Sequence, residues 1–130
     1  MFFAGAPVDR PGENGMERYY AIEVDAKGRV HDYAIAYYRQ FDSDWALTGL
    51  ESKAVLTGDG YSVEGKIPLK VLQDLHLLRD GLMRTGVFRA EFSPSGGTEP
   101  RAEWISWVNP NTPQPDFHVD SAFGVFRFLP

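Results

Sequence analysis

The chain has 130 residues, with 13 basic against 18 acidic side chains, and its net charge of −5 and ordinary size suit one domain spanning 1–130. An apolar share of 43% against 24% charged is enough for a buried core, while the acidic balance argues against nucleic acid or an anionic membrane surface as partner. The absence of cysteine excludes disulfides, thiolate metal sites and a thiol nucleophile. No apolar run is long enough to span a bilayer, and Met1 to Gly5 lacks the basic and apolar regions of a signal peptide, so the sequence carries no address and the compartment stays unassigned.

In chain order, residues 7 to 17 concentrate Pro, Gly, Asn and charge, which makes 1–17 a poorly ordered start. Tyr20, Ile22 and Val24 alternate with Tyr19, Ala21 and Glu23 at strand period. Ala26-Lys27-Gly28 is a turn, and a long second strand from Arg29 to Gln40 completes a hairpin. After a loop over 41–50, a short strand from Ser52 to Thr57 leads into Gly58-Asp59-Gly60. Tyr61, Val63, Gly65 and Ile67 then form a core face opposite Ser62, Glu64 and Lys66. Pro68 opens a helix that runs to Leu78 and packs Val71, Leu75 and Leu78, with Leu72 adding to the stripe and Gly81 as its stop. Strands from Arg84 to Phe92, Ala102 to Val108 and Phe123 to Phe128 follow. One short helix among about seven strands separated by turns predicts an all-β fold, an antiparallel β-sandwich or jelly roll.

Aromatic residues make up 14% of the chain, and they are densest from Trp104 to His118. Period 2 puts Trp104 and Trp107 on opposite faces if both lie in the strand. One reading is that both indoles pack under the proline-rich loop. The other is a sugar platform, since pyranose C–H faces stack on indoles and hydroxyls pair with Asn, Asp, Arg and His.

Tyr19-Tyr20-Ala21-Ile22-Glu23-Val24-Asp25, Gly60-Tyr61-Ser62-Val63-Glu64-Gly65-Lys66-Ile67-Pro68, Phe88-Arg89-Ala90-Glu91-Phe92, Trp107-Val108-Asn109-Pro110, and Pro115-Asp116-Phe117-His118-Val119 with Phe123-Gly124 follow one another in a spacing that covers most of the chain. This succession resembles the family 9 carbohydrate-binding module-like domains. The resemblance implies a β-sandwich related to modules of xylanases and other polysaccharide-degrading enzymes, which stacks aromatics on sugar without cleaving it and often holds structural calcium. Relative to that family the chain is expected to be short at its start, with only Met1 to Pro7 where the family's first strands should end. An open strand edge near Phe2 to Ala6 and the Tyr19 hairpin, and self-association through it, are therefore expected.

Catalytic readings are weaker. Glu64 and Glu91 read as solvated charges on wet strand faces, and no Gly-x-Ser-x-Gly elbow accompanies His31, His76 or His118. Asp42 with Asp44, and Asp116 with Asp120, offer hard oxygen ligands for calcium, but they also suit turns. A haem alternative would use His118 with Met16 or Met83 as axial ligands. The sequence thus points to non-catalytic binding of a plant-type oligosaccharide such as a xylan or cellulose fragment. Trp107 is its platform, Asn109 and Arg89 are polar contacts, and Trp104 and His118 lie at the rim; Arg89 alternatively forms a surface ion pair with Glu91 or Glu103. The competing reading is a structural or protein-interaction sandwich that binds no sugar.

Overall fold

The alternation of Tyr19, Ala21 and Glu23 with Tyr20, Ile22 and Val24 is realised in β2 (Arg18–Val24), which pairs antiparallel with β3 (Val30–Ala36). Gly28 turns the hairpin at φ 79°, a conformation that glycine takes without steric cost. Residues 2–4, 16–97 and 99–129 are described in this computed structural model. The remaining strands are β1 (Phe2–Ala4), β4 (Gln40–Asp42), β5 (Glu51–Leu56), β6 (Tyr61–Lys66), β7 (Leu82–Gly86), β8 (Phe88–Ser93), β9 (Arg101–Ser106) and β10 (Gly124–Arg127). A helix, α1 (Leu69–Asp74), and a 3-10 turn (Asp120–Ala122) complete the list.

The fold is all-β, sandwich-like and antiparallel at every strand pairing among the described residues. Six strands form one sheet in the order β10-β7-β1-β2-β3-β4, and β5–β6 and β8–β9 are separate hairpins. Both faces of the large sheet are covered. On one, Tyr19, Ala21, Tyr33 and Ile35 pack with Met16, Ala122 and Phe123 beneath Phe88, Phe117 and Val119. On the other, Tyr20, Ile22, Ala34 and Met83 pack with Leu47, Leu72 and Leu77. Covering such side chains contributes about 1.5–3 kcal/mol each.

Several sequence expectations change. β1 lies between β2 and β7, so neither Phe2 to Ala4 nor the Tyr19 hairpin is an open edge; among the described residues the edges of the large sheet are β4 and β10. Of the poorly ordered start expected over 1–17, residues 1 and 5–15 lie outside the described residues, while β1 is paired and Met16 is buried. The long second strand is divided: Arg39 takes φ 63°, and the chain folds back at Tyr37–Arg39 to return as β4. The strand expected from Arg84 to Phe92 also breaks, at Val87, and passes from the large sheet into the β8–β9 hairpin.

The Tyr61 and Val63 face of β6 is exposed where a core face was expected. β6 pairs only with β5, and among the described residues no layer covers it. The helix stops at Asp74, four residues early. His76 adopts φ 56°, its amide donates to the Gln73 carbonyl, and the Leu77 amide reaches back to that of Leu72, both at 2.9 Å. This left-handed cap closes the helix and brings Leu77 against the same core as Leu72. The buried helix contacts are therefore Leu72 and Leu77, with Val71, Leu75 and Leu78 partly buried around them.

Candidate ligand site

Strand register sets the site. Glu23 pairs with His31, Ala21 with Tyr33, and Ile35 with Phe41, so Glu23, His31, Tyr33 and Phe41 share the face of the large sheet that carries Tyr19. With Ser43 they line a recess of about 300 Å³. The His31 and Tyr33 rings have centroids 4.9 Å apart, and Phe41 meets Tyr33 edge-on at 5.6 Å. The Tyr33 hydroxyl donates to the Glu23 carboxylate at 2.8 Å. Burial, and then that bond, push the Tyr33 phenol above its ordinary range, so it stays a donor. Phe41 is 53% exposed and forms an open aromatic wall.

Behind Phe41 stands His118, its ring edge-on at 5.5 Å. Its Nδ1 lies 2.9 Å from the Tyr19 hydroxyl. Burial, and then the nearby Arg39 charge, hold the imidazole below its ordinary pKa, while burial raises the Tyr19 phenol. The bond thus joins two uncharged groups, and its direction follows the imidazole tautomer. Asp116 ties this region to the β3–β4 turn: its carboxylate accepts from Tyr38, from Arg39 at 2.9 Å and from the His118 amide at 2.9 Å. Burial raises the Asp116 carboxyl, but these three donors outweigh it and leave the group below the ordinary carboxylate range.

The five residues singled out in the sequence are distributed over the molecule. His118 adjoins the recess through Phe41. Trp104, 47% exposed, packs on Phe117 at 4.9 Å and Phe92 at 6.3 Å on the β8–β9 hairpin and does not line the recess. Arg89 pairs with Ile105 while Ala90 pairs with Trp104, so Arg89 is on the opposite face of that hairpin. It forms an ion pair with Glu91 at 2.7 Å and lies over the Tyr61 ring.

Trp107, 51% exposed, sits against Gly124 and Phe126 on the other face of the large sheet, the helix side. Asn109 spends its side-chain oxygen on the Asn111 amide at 2.9 Å, a turn-forming bond. Glu23, His31, Tyr33, Phe41 and Ser43 were not singled out. The signal available for them was an acid, Glu23, ending the strand face shared by Tyr19 and Ala21.

The calcium and haem options do not fit the described residues. Asp116 is occupied by Arg39 and Tyr38, Asp120 by Arg84, and Asp42 lies 3.8 Å from Arg18. No group of three or more His, Asp or Glu is arranged to hold a metal among the described residues. Met83 is buried on the opposite face of the sheet from His118, Met16 is enclosed in the core, and neither lines the recess. Among the described residues no helix is long and apolar enough to cross a membrane. No family model, curated protein or solved structure matches the chain.

Proposed function

We propose that this chain is a non-catalytic carbohydrate-binding β-sandwich that seats a sugar in the recess over β2, β3 and β4. The observation that carries this reading is the lining itself: ring surfaces from His31, Tyr33 and Phe41, the Glu23 carboxylate and the Ser43 hydroxyl around about 300 Å³. That volume is at the small end of ligand sites and suits one or two sugar rings. Aromatic walls take the C–H faces, while Glu23 and Ser43 supply acceptors for hydroxyls. Glu23 is the one acid in the lining, whereas glycoside cleavage uses two carboxylates flanking the bond, which supports binding without hydrolysis.

Calorimetric titration with xylo- and cello-oligosaccharides, together with amide chemical shifts, tests the reading. The expected result is saturable binding with shifts at Glu23, His31, Tyr33 and Phe41. Phe41→Ala should weaken it by about thirtyfold, the usual effect of losing an aromatic hot spot of about 2 kcal/mol. Trp107→Ala is the comparison, and a larger loss there would move the platform to the β10 side. No saturable response to any oligosaccharide would leave the structural or interaction domain as the better reading.

A further inference from the structure

Many acids of this protein are paired with basic neighbours: Asp25 with Arg29, Glu51 with Lys66, Asp74 with Lys70 and Asp116 with Arg39. Glu23 differs. Its carboxylate accepts a hydrogen bond from the neutral Tyr33 hydroxyl, and no Lys or Arg among the described residues forms an ion pair with it. It is also the acid set among aromatic rings, those of His31, Tyr33 and Phe41, in a recess on a protein of net charge −5. Ring faces carry negative electrostatic potential, which attracts a cation and adds to the carboxylate's field.

We infer that the recess prefers an amino sugar, whose ammonium group pairs with Glu23 against the Tyr33 and Phe41 rings while its hydroxyls meet Ser43. The inference rests on the carbohydrate reading above and narrows it. A primary ammonium brings three N–H donors, which match the free lone pairs of the carboxylate and the oxygen of Ser43. A quaternary ammonium brings none. A neutral sugar hydroxyl on Glu23 makes a hydrogen bond with one charged partner, whereas the ammonium makes one with two and neutralises the acid as well.

The test measures binding of glucose, glucosamine, N-acetylglucosamine and tetramethylammonium near neutral pH, by calorimetry and by the amide shifts of Glu23, His31, Tyr33 and Phe41. Glucosamine should bind about tenfold or more tighter than glucose and N-acetylglucosamine. Glu23→Gln should bring that ratio close to one. Glu64→Gln removes the same charge from the exposed strand β6, where Glu64 lies opposite Lys53, and should keep the ratio. A ratio lost equally in both variants would reduce the preference to net charge and overturn the inference.

Equal affinity for glucose and glucosamine in the wild type would overturn the amino-sugar preference and leave carbohydrate binding standing. Absence of a response to all three sugars would overturn both. Tetramethylammonium binding as tightly as glucosamine would make the recess a general cation cage and overturn recognition of the sugar. Circular dichroism confirms that Glu23→Gln is folded, and Phe41→Leu provides a second variant in which loss of the ring should also lower the ratio.

Discussion

The Tyr19 hydroxyl lies 2.9 Å from Nδ1 of His118, joining β2 to a loop 99 residues further along the chain. Tyr19 is fully buried in the core beneath Phe88, Phe117 and Val119, so this bond anchors the C-terminal loop at the back of the recess. The partly buried imidazole is kept neutral there, by desolvation first and by Arg39 second.

Stability should therefore fall on acidification. The folded state depresses the His118 pKa below the ordinary 6.5, so between the two values the unfolded chain binds more protons. The contribution is complete above about 6.5 and is lost as pH falls through the folded value. Urea unfolding across this range should show a falling midpoint, and His118→Gln should flatten that part of the profile. A second loss is expected below the ordinary carboxylate value of 3.8 as Asp116 takes up a proton, and Asp116→Asn should remove it. An unchanged profile in His118→Gln would assign the acid sensitivity to other groups.

At the end of α1, His76 holds the left-handed position that glycine occupies most readily. His76→Gly should raise unfolding stability by about 1 kcal/mol, because relief of the backbone strain exceeds the added freedom of the unfolded chain. Thermal or urea unfolding reads the change directly. A decrease would mean that the imidazole makes a stabilising contact that outweighs its backbone cost.

The same cap separates the leucines. Leu77 is 1% exposed and Leu75 only partly buried, so Leu77→Ala should cost about 2–5 kcal/mol and Leu75→Ala clearly less. Equal losses would place Leu75 deeper than the cap geometry does.

A methyl group at Gly124 would come within 2.7 Å of the Trp107 indole. Gly124→Ala should thus displace the ring, at a cost of about 1–3 kcal/mol, the usual range for overpacking. Tryptophan emission should shift to longer wavelength, and in a Trp107→Phe background that shift should vanish. Its persistence there would trace the change to Trp45 or Trp104.

Thr85 is fully buried, and its hydroxyl has no hydrogen-bond partner among the described residues. Replacing a lone buried hydroxyl by a methyl of the same shape removes an unmet desolvation cost, so Thr85→Val should stabilise the protein by about 1 kcal/mol. A loss of similar size in urea unfolding would point to an ordered water satisfying the hydroxyl.

The all-β class and the first hairpin were legible in the sequence because their causes are local. Alternation at period 2 from Tyr19 to Val24 marks a strand, and Gly28 permits the positive φ that reverses it. The helix was legible through its apolar spacing after Pro68, but its end was hidden, since nothing in a histidine announces that it will take the left-handed conformation.

What lies over each face was decided only by the tertiary structure. The pattern of Tyr61 and Val63 says that one side of β6 is apolar, but whether another layer covers it depends on where the rest of the chain goes. The recess is of the same kind. Glu23, Tyr33 and Phe41 meet because antiparallel register aligns three strands, and His118 joins them through a loop packed on Tyr19 from the far end of the chain. Trp104 and Trp107, three positions apart, pack against Phe117 and Phe126, which belong to different cores. Side-chain alternation is encoded residue by residue, whereas the partners of a face are set by long-range pairing, which is why strands could be read from the sequence and the site could not.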